Sequence, residues 1–154
     1  MISKTNIQVF IDLENIQPPF AEARARKRLV TLLEGIGRYL QLNDYKIEHI
    51  WACARERVPK ETKSVIDTVF GEFGGVMIWT RNVIADIEIQ RELMNRSHCG
   101  TLSPAILFIS SDNDFVEVLL ALQAGGTEVL VSGINVGRRL QQIANRVVPF
   151  VELN

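Results

Sequence analysis

The chain has 154 residues, of which 23% are charged and 47% are hydrophobic, and its formal net charge is −1. This composition is typical of a folded protein and excludes a disordered chain, and the length predicts a single domain over residues 1–154. The near-neutral charge excludes a basic field over the whole surface, so any nucleic-acid-binding surface must be a local patch. The sequence has neither a leader-like amino terminus nor a run of 18 apolar residues, which predicts a cytoplasmic protein without a membrane span.

Apolar segments rich in β-branched residues alternate with segments of helical period along the chain. The predicted strands cover residues 7–13, 45–54, 76–80, 105–110 and 127–133, with a possible short strand at 148–153. The predicted helices cover residues 23–42, a segment between Pro59 and Gly74, and residues 86–96, 115–124 and 137–146. This alternation predicts βαβ units around a mostly parallel sheet, and hence an α/β fold.

Four aspartates stand where predicted strands end or where the following helices begin. Asp12 lies at the end of the first strand, Asp86 opens the helix after the third strand, and Asp112 and Asp114 follow the fourth. Because the carboxyl ends of parallel strands face a common crevice, we expect these side chains to meet there. Like charges in one crevice raise one another's pKa unless divalent cations neutralise them, and Mg²⁺ and Mn²⁺ prefer such oxygen ligands.

Local backbone roles are the alternative explanation for these aspartates. Asp12 would then accept backbone N–H groups in the turn after its strand. Asp114 and Glu117 form a capping-box pattern, and Asp86 is a candidate N-cap of its own helix. Asp112 is not needed for either cap, and the occurrence of all four acids at one predicted edge favours a metal site.

Several arginines are predicted to lie along the same edge of the sheet as the acids. Arg55 follows the second strand, Arg81 the third, and Arg138 opens the helix after the fifth. They would contact substrate phosphates beside the acidic centre, with Trp79 or Phe115 as a stacking face for a base. The alternative for each arginine is a solvated surface charge.

Three segments together resemble a known family: "VFIDLENI" at 9–16, "ADIEIQREL" at 85–93 and "ILFISSDNDF" at 106–115. In this order and spacing they look like NYN domains, a branch of the PIN-like ribonuclease superfamily that includes bacterial LabA-like proteins. The match spans nearly the whole chain. The resemblance implies a three-layer α/β/α sandwich and, for active members, RNA cleavage with Mg²⁺ or Mn²⁺ held by acidic residues.

The resemblance also assigns roles to residues. It implies that Asp12, Asp86, Asp112 and Asp114 are the catalytic metal ligands, and it matches Asn15 to the polar residue of the first motif. Asn15 and Ser111 are expected to contact the substrate. Glu92 stands where the family often has a further acid, but six residues rotate a helix by about 600°, which turns Glu92 away from Asp86. The chain departs from many relatives in having Val83-Ile84 before the central acid and Asn145 near the carboxyl terminus.

The sequence lacks a nucleophilic triad, a P-loop and a dinucleotide-binding glycine motif. Two divalent ions can activate water and stabilise a leaving oxygen without any of these. The leading hypothesis is therefore a metal-dependent endoribonuclease that acts on single-stranded RNA by a two-metal-type mechanism. The alternatives are a catalytically silent RNA-binding or protein-interaction module and a small-substrate phosphohydrolase, and a homo-oligomer is possible.

Overall fold

The computed structural model describes residues 3–15, 22–81 and 83–150, and these ranges form one sheet with helices on both faces. The strands are β1 (Thr5–Asp12), β2 (Tyr45–Arg55), β3 (Val76–Thr80), β4 (Ala105–Ile109), β5 (Glu128–Ser132) and β6 (Arg146–Val147). The helices are α1 (Glu22–Leu42), α2 (Lys60–Glu72), α3 (Ala85–Cys99), α4 (Val116–Ala124) and α5 (Arg138–Ile143). Short 3-10 helices follow β1 at Leu13–Asn15 and precede α4 at Asn113–Phe115.

The strand order places a crevice at the carboxyl ends of β1 and β4. The order is β3-β2-β1-β4-β5-β6, and every neighbouring pair is parallel. The chain builds outward from β1 to β3 and then returns to β4 on the other side of β1. Ligand sites of open α/β sheets form where the strand order reverses in this way, outside the carboxyl ends of the strands.

Each face of the sheet has its own hydrophobic core. Alternate residues of β1 point to opposite faces, so Val9 packs in one core and Phe10 in the other. The first core contains apolar side chains of α1 and α2, whereas the second contains those of α3, α4 and α5. The predicted fold class, a three-layer α/β/α sandwich with a parallel central sheet, is confirmed.

Some element boundaries differ from the predicted ones. β1 stops at Asp12, and α3 continues to Cys99. The helix predicted over 137–146 ends at Ile143, because the extended Ala144 stops it and the Asn145 side chain accepts a hydrogen bond from the Val129 amide (2.8 Å). The last described strand is 146–147 and not 148–153, of which 151–153 lie outside the described residues.

No helix in the described ranges combines the length and the apolar character that crossing a membrane requires.

Candidate metal centre

Three carboxylates from two different segments meet at the carboxyl edge of the sheet. One oxygen each of Asp86, Asp112 and Asp114 lies within 4.8 Å of the other two, and we call these residues the carboxylate group. Asp86 is in the first turn of α3, whereas Asp112 and Asp114 belong to the loop and 3-10 helix after β4. The fold thus brings three of the four predicted aspartates into one group.

The fourth aspartate, Asp12, is fully buried beside this group. Its Oδ2 accepts hydrogen bonds from the Ser110 hydroxyl (2.8 Å) and from the Asn15 side-chain amide. Its Oδ1 is buried and has no hydrogen-bond partner among the residues that the structure describes. Burial raises the pKa of Asp12 from 3.8 to about 6, although the bonds from Ser110 and Asn15 oppose this rise.

Asp86 is held in an unfavourable electrostatic environment. Its partial burial is the largest cause that raises its pKa to about 6, and repulsion from Asp12 and Asp112 adds to this rise. A hydrogen bond with Asp112 and the charge of Asp114 act in the same direction. The charged form of Asp86 is therefore disfavoured by the neighbouring acids, and a cation at this point would relieve that repulsion.

The spacing of the three carboxylates is close to what a divalent cation needs. Mg²⁺ holds oxygen ligands at about 2.1 Å, so the most distant pair of ligands stands about 4.2 Å apart. The oxygens of the carboxylate group lie within 4.8 Å of one another, and the Asp12 carboxylate beside them has an unpaired Oδ1 among the described residues. A donor set made only of carboxylate oxygen suits Mg²⁺ or Mn²⁺ better than softer metals. The residues therefore fit the expected ion.

Helix capping accounts for one of the three grouped aspartates and not for the other two. Asp112 caps the 3-10 helix, since its Oδ1 accepts a hydrogen bond from the Asp114 amide (2.9 Å). The predicted cap by Asp114 is wrong, because the 3-10 helix delays the start of α4 to Val116. The predicted cap by Asp86 is also wrong, because Ile84 is the N-cap residue of α3. Neither Asp86 nor Asp114 is the N-cap residue of the helix that it was expected to cap.

Two adjacent serines at the end of β4 form hydrogen bonds to different partners. The Ser111 hydroxyl, expected to contact substrate, donates to the backbone carbonyl of Ile134 and so ties the loop after β4 to the loop after β5. The sequence did not point to Ser110, whose hydroxyl donates to Asp12 and accepts from the Asp112 amide (3.2 Å). A small polar residue at the end of an apolar strand is the pattern that could have indicated this role of Ser110.

The three arginines expected at the site differ in their hydrogen-bond and ion-pair partners. Arg81 forms an ion pair with Glu56 and is thereby engaged by the protein itself. Arg55 ends β2, and its backbone amide donates to the Glu14 carboxylate (2.6 Å). Arg138 is exposed at the first residue of α5. Within the described ranges, the side chains of Arg55 and Arg138 have no ion-pair partner.

The remaining candidates lie outside the carboxylate group. Glu92 pairs with Arg96 (2.7 Å), in agreement with the rotation that turns it away from Asp86. The indole N–H of Trp79 donates to Asp67 of α2 (2.7 Å). Phe115 is 0% exposed, so the expectation that it offers a stacking face is wrong. Its ring instead packs in the core between α4 and the sheet.

Comparison with known proteins supports the fold alone. No family model matches the chain, and no curated protein matches its sequence. A crystal structure of a protein of unknown function from Vibrio parahaemolyticus RIMD 2210633 is similar, with a TM-score of 0.69 and 14% identity over 97% of this chain and 96% of that one. At this identity the likeness shows that the two chains share the α/β/α architecture over nearly their whole length.

Proposed function

We propose that this protein is a cytoplasmic, metal-dependent endoribonuclease that hydrolyses phosphodiester bonds of single-stranded RNA. The observation that carries the proposal is the meeting of three carboxylates within 4.8 Å, beside a buried fourth. Folding alone does not favour such a group, because the charges of Asp12, Asp112 and Asp114 raise the pKa of Asp86. The resemblance of the three sequence segments to NYN domains supports RNA as the substrate and Mg²⁺ or Mn²⁺ as the ion.

The chain's own residues would hold the metal and orient it. Asp86, Asp112 and Asp114 would be the principal ligands, with Oδ1 of Asp12 as a further one. Ser110 and Asn15 fix the Asp12 carboxylate through its other oxygen, so its free oxygen has a defined position. Bound divalent ions supply an activated water and stabilise the leaving oxygen, which explains why the reaction would need no Ser, Cys or His nucleophile.

The test compares cleavage of labelled single-stranded RNA with Mn²⁺ and with a chelator. Wild-type protein should cleave only with Mn²⁺, and Asp112→Asn should reduce the rate by at least about a hundredfold. Asparagine is also a good cap residue, so this variant should keep the 3-10 helix. Glu128→Gln, at the opposite end of the sheet, is the matched control and should retain full activity.

Each alternative gives a different result in the same assay. Cleavage that needs no metal, or that persists in Asp112→Asn, would contradict the proposal. RNA binding without cleavage would indicate a catalytically silent module. Hydrolysis of a small phosphate ester with intact RNA would indicate a phosphohydrolase.

A further inference from the structure

Two arginines stand on either side of the carboxylate group, on the same face of the sheet. Side chains alternate along β2, so Arg55 shares a face with Cys53, which is the strand partner of Asp12. Arg138 opens α5, which packs through Leu140 into the core on that same face. Because β1 and β4 lie between β2 and β5, the acidic crevice separates the two arginines.

Arg55 is held in place by the loop that carries Asp12. The 3-10 helix Leu13–Asn15 follows Asp12 directly, and its Glu14 side chain accepts a hydrogen bond from the Arg55 amide (2.6 Å). This bond joins the end of β2 to the end of β1. The backbone of Arg55 is therefore fixed relative to the buried carboxylate.

Arg138 is held in place by the loop that carries the other acids. The Gly137 amide donates to the Ser111 carbonyl (3.1 Å), and the Leu140 amide donates to the Asn113 side chain (3.3 Å). Asn113 stands between two members of the carboxylate group in the sequence. A side chain at position 137 would overlap that of Asn113, so the start of α5 lies directly against this loop.

Neither of these two arginines forms an ion pair within the described part of the chain. Arg81, Arg91 and Arg96 are each paired with a glutamate, whereas neither Arg55 nor Arg138 has an ion-pair partner there. Two arginines with anchored backbones, and without an ion-pair partner among the described residues, thus flank the carboxylate group. An anionic ligand that reaches across the group would satisfy both.

We propose that Arg55 and Arg138 bind the backbone phosphates on opposite sides of the scissile phosphate, so that a single strand crosses the sheet edge from β2 to β5. This inference rests on the proposed function and adds the path of its substrate. The strands β2 and β5 are three strand spacings apart, about 14 Å, and Arg138 follows β5 at the start of α5. The footprint is therefore short, of the order of the smallest single-strand sites, about 4 nucleotides.

The experiment uses oligoribonucleotides with one cleavable phosphodiester, extended only on the 5′ side, only on the 3′ side, or on both. Each extension should raise kcat/KM of the wild type by about tenfold, the typical contribution of one charged hydrogen bond. Arg55→Gln should remove the gain from one side only, and Arg138→Gln the gain from the other. Each variant should also reduce the salt dependence of binding by about one phosphate contact. Arg38→Gln, an exposed change on α1 at the other face, is the control and should leave both gains intact.

The same oligonucleotides are titrated by fluorescence anisotropy against Asp112→Asn, alone and combined with each arginine variant, because binding is measured there without turnover. Cleavage of all oligonucleotides with unchanged gains in both arginine variants would overturn the path but leave the proposed function standing. Absence of metal-dependent cleavage, together with side-specific losses of binding, would overturn the proposed function and keep the path. Equal losses from both sides in each variant would overturn the path.

Discussion

Glu128 at the amino end of the sheet and the aspartates at its carboxyl end have opposite surroundings. Glu128 accepts a hydrogen bond from the Tyr45 hydroxyl, and its charge interacts with that of Arg146. Arg146 in turn donates to the Asn43 side chain (3.2 Å). At the carboxyl end, the aspartates face one another, and no member of the carboxylate group has a cationic ion-pair partner among the described residues.

This difference separates what folding requires from what it does not. The same parallel strands supply both ends, so the chain is able to match an acid with a donor and a cation where stability alone matters. Placing carboxylates against each other costs free energy and adds nothing to the core. Sites where local rules are broken without a structural gain are the expected positions of function. The contrast therefore supports the proposed site at the carboxyl end of the sheet.

The largest expected effect concerns the buried carboxylate of Asp12. Its folded-state pKa of about 6 exceeds the ordinary value of 3.8, so the folded protein binds more protons than the unfolded chain between these values. Stability contributed by this group is complete below the lower value and is lost as the pH rises through about 6. In metal-free protein near pH 7.5, Asp12→Asn should raise the free energy of unfolding by up to about 3 kcal/mol.

Urea unfolding in the presence of a chelator, from about pH 4 to pH 8, measures this effect. The difference between variant and wild type should be small at the acidic limit and grow toward neutrality. Tyr45 at the amino end has a pKa raised to about 12 by burial and by Glu128, so its own titration affects stability only in strongly alkaline solution. A loss of stability in Asp12→Asn at neutral pH would mean that the folded protein already compensates the carboxylate.

Much of the structure at the carboxyl end of the sheet could be predicted from local sequence. The β-branched runs and helical stripes predict the strands and helices, and Asp12 stands out because an acid at the end of an apolar strand needs compensation. What could not be predicted depends on partners far away in the chain. Ser110 and Asp12 are 98 residues apart, and Arg81 is engaged by Glu56, 25 residues away. The shifted cap at Asp112 depends on the 3-10 helix, which ends with Phe115 buried in the core.

The second expected effect is stabilisation by the metal itself. A ligand that binds only the folded state at a hundred times its dissociation constant stabilises by about 2.7 kcal/mol. Mn²⁺ should therefore raise the melting temperature of the wild type and of Glu128→Gln, but much less that of Asp86→Asn. Thermal unfolding followed by circular dichroism, with Mn²⁺ or with chelator, provides the measurement. Equal shifts in all three proteins would place the bound ion elsewhere and remove the contrast between the two ends.

The smallest expected effect compares two glycines, one near each end of the sheet. Gly137→Ala would overlap the far end of the Asn113 side chain and displace it from its hydrogen bond with the Leu140 amide, which should cost about 1 kcal/mol. Gly71→Ala, near the end of α2 where an added Cβ meets nothing within 4 Å, should instead stabilise by up to about 1 kcal/mol. Urea unfolding measures both changes, and kcat/KM on RNA should fall only in Gly137→Ala, because only that change disturbs the contact between α5 and the acidic loop. If Gly137→Ala is as stable and active as the wild type, the loop tolerates displacement, and the close approach of α5 has no part in positioning the site.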